Sequence, residues 1–387
     1  DLKSVKLAMA FSMLAPRWSF CSSPLRESCL RANRRSFAVQ VAQAAHRQID
    51  PVGRGRRSWN GLASLASLAG LSGSGLQVRN LVSRMARAKA SKAKSRSQDL
   101  NVSKCHRCFE GTVFRCNHYS EALGLDACFS VYVPDAPRMQ TTLPYPRDCE
   151  EFPVLLFLSD EGCSDIEVLM QGGLLEHCAA CGLILVSADT SPRSESAKDV
   201  FSGGSYYVNA TEKPWDTHCR MRDYLEGELL DFVHDNFPTC GPGAVSVMGH
   251  GMGGTGALSL ALRKSDVTFR SVSALAPFLN PMQTEGPRTA FRTLLGEDEL
   301  SWRSYDPMAL AMDYSSKLAP PILLDVGSEG LSYLQDSVKP FEFLQACQQK
   351  GIVVDFRLRA GFDHSFFFVA SVMEEHLDFH AKHLDDA

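Results

Sequence analysis

No apolar run in this sequence reaches the ~18 residues that a membrane-spanning helix needs. A large charge of one sign is also missing. The net charge is -4 over 387 residues, too small to imply a nucleic-acid partner. The first hundred residues lack acid: they hold 18 of the 40 Lys and Arg but only 4 of the 44 Asp and Glu. The balance therefore reverses near residue 100. Before that point the chain is rich in Arg, Ser and Ala, as in "FSMLAPRWSFCSSPLRESCLRANRRSFAVQ", and "ARAKASKAKSRS" (86–97) has nothing to bury. This composition predicts a basic, disordered extension over 1–100 with the character of an organelle transit peptide. The alternative is an untidy gene model, since the sequence opens on Asp1 rather than Met. The expected compartment is the cytoplasm, or a mitochondrion or plastid if the extension is a targeting segment.

What is there is ordinary for a globular chain: 44% hydrophobic and 22% charged residues. The thirteen cysteines are odd in number and scattered through apolar segments, which reads as free thiols in a reducing compartment. Cys105/Cys108 and Cys178/Cys181 have close spacing. About 70 residues separate the two pairs, and the second sits inside a helical pattern, so no metal site is expected from them.

From residue 101 apolar runs alternate with helical stretches. Strands are expected at 128–134, 153–159, 182–188, 244–248, 271–277, 320–327 and 352–358. Helices are expected at about 165–181, 218–236, 255–264, 336–350 and 367–383. Several strands are apolar on both faces, as buried parallel strands are. The alternation predicts a single α/β domain over 101–387 with a mostly parallel sheet flanked by helices. No internal repeat is evident.

"VSVMGHGMGGTGALSLALRK" (245–264) reads as a strand, a tight glycine turn and a helix. Two readings compete. Gly249-x-Gly251-x-x-Gly254 satisfies a dinucleotide-binding fingerprint. However, it lies on about the fourth strand of the domain, and no acidic residue ends a following strand to hold a ribose. The same glycines suit a nucleophile elbow, whose turn is cramped and whose helix must lie close. A histidine in the order expected of a hydrolase is His364, on the loop between the last strand and the last helix. It is followed by Ser365, read as structural.

Further segments decide between them. "SADTSPR" (187–193), "YYVNATEKPW" (206–215), "RMRDYLEGEL" (220–229), "ALAPFLNP" (274–281), "AGFDHSFFF" (360–368) and "FHAKHL" (379–384) are all in register with one family. Residues ~104–385 resemble S-formylglutathione hydrolase, the esterase D family of serine thioesterases. The resemblance implies an α/β-hydrolase fold and descent from an enzyme that hydrolyses S-formylglutathione in formaldehyde detoxification. No cofactor and no metal are expected. The partners expected are a glutathione thioester or another small thioester or ester, with a homodimer compatible and neither nucleic acid nor membrane expected.

The departures fall in the machinery. The family elbow Gly-His-Ser-Met-Gly-Gly is here Gly249-His250-Gly251-Met252-Gly253-Gly254, so the nucleophile position is Gly251. The family's acid aligns with Gly330, with Glu329 beside it as a substitute acid. The oxyanion loop Leu-Ser-Gly-Leu-Thr-Cys is here Leu158-Ser159-Asp160-Glu161-Gly162-Cys163. The oxyanion and binding positions are thus Asp160, Glu161, Gly162, Cys163 and Met252, and only His364 and Cys163 keep their places. Without an Oγ no acyl-enzyme can form. Without its acid His364 loses the group that orients it. Asp160 and Glu161, if they face inward, set negative charge against a developing oxyanion. The expectation is a catalytically impaired relative. The alternatives are an active esterase or thioesterase using another nucleophile or a His364-directed water, and a dinucleotide-binding protein.

Overall fold

The computed structural model describes residues 100–135, 151–191, 204–263, 268–315, 319–329 and 339–385. The basic extension and Gly330 lie outside the described residues.

Nine strands form one sheet in the order β1-β2-β3-β5-β4-β6-β7-β8-β9. The central strands are continuous apolar runs. In β4 (Val154–Leu158) all five side chains are buried, and so are the five residues of β5 (Ile184–Ala188). Each such aliphatic or aromatic side chain contributes about 1.5–3 kcal/mol on leaving water. Burial on both faces goes with parallel pairing: β5, β4, β6 (Val245–His250), β7 (Val272–Leu275), β8 (Ile322–Gly327) and β9 (Val354–Arg359) run parallel.

All seven expected strands form. Two more precede them: β1 (Asn101–Cys108) and β2 (Gly111–Ser120), which make an antiparallel edge with β3 (Leu125–Pro134). The glycine turn therefore follows the sixth strand, not the fourth. β1 is polar and mostly exposed, so it carries no apolar run to read. β2 alternates buried and half-buried positions around Val113, Phe114 and Cys116, a weak period-two signal.

The helix expected at 165–181 is two helices, Glu167–Gln171 and Leu175–Cys181, broken at Gly172-Gly173 where Gly173 has φ +68°. The 218–236 helix forms as Met221–Asp223, a π-helical turn over Tyr224–Leu229, and Leu230–Asn236. The helix after the glycine turn starts at Met252, not at 255, and runs to Leu262. Helices at Glu285–Leu295 and Pro307–Asp313 were not expected. The last helix, Phe366–Asp385, buries Val369, Val372, Met373, His376, Leu377, His380, Ala381 and Leu384, the stripe of one helical face.

Two buried carboxylates are each matched by an arginine. Asp325 in β8 is fully buried and accepts from Arg359 Nε at 2.7 Å. Asp165, also fully buried, accepts from Arg115 Nε at 2.9 Å, Arg115 Nη2 at 2.7 Å and Ser130 Oγ at 2.6 Å. This second set anchors the loop after β4 to the β2–β3 edge.

Candidate active site

The glycine turn at the end of β6 is built by close backbone contact. A Cβ on Gly249 would overlap the Gly253 carbonyl, and one on Gly253 would overlap the Leu158 carbonyl at the end of β4. A Cβ on Gly254 would come within 3.0 Å of Pro277 Cβ. These glycines let the helix approach the sheet, which is what an elbow needs. Gly251 itself has φ 53° and ψ -119°, the strained turn geometry on which a nucleophile is presented. The turn is intact although it presents no side chain.

The space beside Gly251 is filled by Asp160. A Cβ on Gly251 would overlap the Asp160 carboxylate. Asp160 Oδ1 accepts the Met252 backbone N–H at 2.8 Å, and Oδ2 accepts from His364 Nε2 at 2.8 Å. The carboxylate of one loop thus engages the His364 nitrogen that would accept a serine's O–H in a triad, and it takes the N–H that follows the nucleophile position.

The loop that delivers Asp160 is held at several points. Cys163 N–H bonds back to the Asp160 carbonyl at 3.1 Å across a tight turn, in which Gly162 has φ +77°. Thr190 Oγ1 donates to the Cys163 carbonyl at 2.6 Å. Tyr207 Oη donates to the Ser159 carbonyl at 2.7 Å. Tyr206 and Tyr207 both have positive φ, 49° and 54°, a strained pair of the kind that persists where surrounding structure enforces it.

Burial by itself raises the Asp160 pKa. The His364 hydrogen bond, the fields of His250 and His364 and the Met252 N–H outweigh it, and the net shift is downward. Asp160 is an anion at neutral pH. Glu161 lies on the surface, and its pKa is raised by burial and by the Asp160 charge. Of the two acids that could oppose an oxyanion, Asp160 faces inward.

His364 sits on the loop after β9 as its place in the chain indicated. Its Nδ1, which the acid of a triad would hold, is buried and has no partner among the described residues. Glu329 does not supply that acid: it is exposed, its carboxylate accepts from Ser328 Oγ at 3.3 Å, and its N–H bonds to the Phe362 carbonyl. Ser365 donates from both N–H and Oγ to Asp363 Oδ1, at 2.9 and 2.6 Å, closing the turn that carries His364.

The sequence did not single out His250. It is almost wholly buried, its ring lies 4.5 Å from that of His364 between centroids, and its Nε2 is 2.9 Å from the His364 carbonyl. Burial, with the neighbouring His364 charge, pushes its pKa down to about 4. The dinucleotide reading fails on this geometry. The Met252 N–H, which a pyrophosphate would need at the helix N-terminus, is taken by a carboxylate of the same charge sign.

The order of strands, the elbow and the histidine define an α/β-hydrolase. The chain belongs to the Esterase family, whose model matches residues 130–379. It is 35% identical over 286 residues to S-formylglutathione hydrolase of Rattus norvegicus, spanning 72% of this chain and 97% of the relative. Among solved structures it is similar to an S-formylglutathione hydrolase from Agrobacterium tumefaciens, at 30% identity and a TM-score of 0.65, covering 73% of this chain and 99% of that one. A fluorophosphonate-binding serine hydrolase of Staphylococcus aureus, FphF, shares the fold at 18% identity and a TM-score of 0.54, over 70% of this chain and 98% of its own.

Proposed function

We propose that this protein is an S-formylglutathione hydrolase relative in which the serine route of hydrolysis is closed, and which binds a small thioester or ester without turning it over. One observation carries the reading: the Asp160 carboxylate occupies both the space beside residue 251 and the Met252 N–H. An acyl group has no hydroxyl to receive it there, and an oxyanion would meet a fixed negative charge. His364 is committed to Asp160 on one ring nitrogen and lacks an acid among the described residues on the other.

The test is an assay of the purified protein, kept in a strong chelator, on S-formylglutathione and p-nitrophenyl acetate, together with labelling by a fluorophosphonate and by a thiol reagent. Neither saturable hydrolysis nor fluorophosphonate labelling is expected. A rate within about tenfold of an ordinary serine thioesterase would overturn the reading, because loss of the nucleophile alone costs several orders of magnitude.

A further inference from the structure

We propose that Asp160, His250 and His364 form a three-ligand site for one divalent cation of the zinc class, in the space that the missing serine leaves. Asp160 follows β4, His250 ends β6 and His364 follows β9, so three strand ends on one side of the parallel sheet each deliver one donor. One ligand atom from each, a carboxylate oxygen and two imidazole nitrogens, lies within 4.8 Å of the other two.

The second observation is the state of His250. Its Nε2 faces a backbone carbonyl, that of His364, which can only accept, so Nε2 carries the proton. Nδ1 therefore bears a bare lone pair. It is buried, with no partner among the described residues, on a side chain only 2% exposed. An imidazole fixed by its N–H on a backbone carbonyl, with the other nitrogen free, is how metal-binding histidines are commonly held. His364 Nε2 already lies 2.8 Å from Asp160 Oδ2, and a nitrogen of His250 lies within 4.8 Å of the ligand atoms of both. For a cation to bind His364 Nε2 the proton there must leave it: a neutral ring shifts it to Nδ1, and an imidazolium releases it to solvent. In a tetrahedral site with bonds of about 2.0–2.2 Å, donors stand roughly 3.4 Å apart. The Asp160–His364 pair, now 2.8 Å apart, must open to that separation.

The donor set selects the ion. Two imidazoles and one carboxylate suit zinc and its transition-metal neighbours; calcium and magnesium prefer an all-oxygen shell. Three protein ligands leave a fourth position for water or a ligand. The glycine at 251 makes the space available, since any Cβ there would overlap Asp160. The site goes beyond the closed serine route and does not depend on it.

The test uses the full chain, untagged and stripped of metal with chelator. It is titrated with Zn2+ by calorimetry and with Co2+ by visible absorption. One equivalent should bind, with the d–d bands of a four-coordinate site. Asp160→Asn, nearly isosteric, and His250→Gln should each weaken binding at least about tenfold, the scale already known for losing an outer-shell partner. A second group, His177, Cys181 and Asp378, lies elsewhere in the protein, so His177→Ala serves as the control and should leave binding unchanged. Melting curves confirm that the variants fold, and Asp160→Asn decides the matter if His250→Gln does not. No binding, binding that survives Asp160→Asn, or binding lost with His177→Ala would overturn the proposal. None of these outcomes alters the result expected of the fluorophosphonate experiment, which is run in chelator.

Discussion

Asp160 and Gly251 share one volume: the carboxylate of the first lies where the side chain of the second would be. In the family pattern a glycine stands at the first position and a serine at the second. Here the order is Asp160 and Gly251. The elbow backbone keeps its strained turn, φ 53°, with a carboxylate from the neighbouring loop in the place of the hydroxyl.

Gly251→Ser alone should therefore fail to restore hydrolysis, and it should also destabilise the protein. The new side chain overlaps Asp160, and overpacking of this kind costs about 1–3 kcal/mol. Adding Asp160→Gly should recover the melting temperature while activity on a formyl thioester stays low. His364 would still lack its acid, a loss worth about four orders of magnitude in a well-studied triad. Appreciable rescue should need Gly330→Asp, one residue removed from that loop, and Gly-Leu-Thr in place of Asp160-Glu161-Gly162. Full activity from Gly251→Ser alone would mean that Asp160 swings away and a carboxylate already serves His364.

Arg115→Met should loosen the loop that carries Asp160. It leaves Asp165 fully buried with only Ser130 as a side-chain partner. Removing one partner of a buried ion pair costs about 3–5 kcal/mol, and the low end applies because Arg115 keeps 30% of its side chain exposed. Urea denaturation of the two proteins measures this. A difference under about 1 kcal/mol would mean that solvent replaces the guanidinium, in which case the pair ranks with exposed ones.

Stability should fall as the pH drops through the ordinary histidine range. His380 is fully buried, with both ring nitrogens 2.8 Å from the hydroxyls of Ser271 and Ser273. Burial, aided by the charges of His376 and His383, holds its pKa well below the usual value. Burial lowers that of His376 as well, although Asp325 opposes it. Below ~6.5 the unfolded chain takes up protons that the folded chain refuses, so each such histidine removes up to about 1.4 kcal/mol per pH unit. Melting temperatures measured from pH 7.5 down to pH 5 should decline, and less steeply in His380→Gln. A flat profile would show that these histidines are already charged in the fold.

The domain should fold without the first hundred residues. That stretch is basic and poor in acid, and its last part, 86–97, has nothing to bury. A chain comprising 101–387 should melt at the same temperature as the whole protein. A large drop would place part of the extension in the core.

The family and the parallel sheet were legible in the sequence because both rest on local runs. β4, β5, β6 and β8 are apolar on both faces, and the segments around Tyr206, Asn280 and His364 keep their order along the chain. What escaped was whatever lacks a run. β1 shows solvent a polar face, and its strand character comes from pairing with β2. The helix at 165–181 reads as continuous by periodicity, yet Gly172-Gly173 breaks it.

The amino-acid sequence by itself determined that positions 251 and 330 offer no functional group, since a glycine has no side chain in any fold. It also determined where the elbow lies, because Gly249 and Gly253 admit no Cβ beside the backbone they meet. Only the tertiary structure decided which group fills the space beside Gly251. Asp160 and His364 are 204 residues apart along the chain and 2.8 Å apart in space. Whether Asp160 or Glu161 turned inward depended on the turn closed by Cys163 and on the Tyr207 and Thr190 anchors. The direction of a side chain is set by contacts from distant strands, and no spacing within a single loop encodes it.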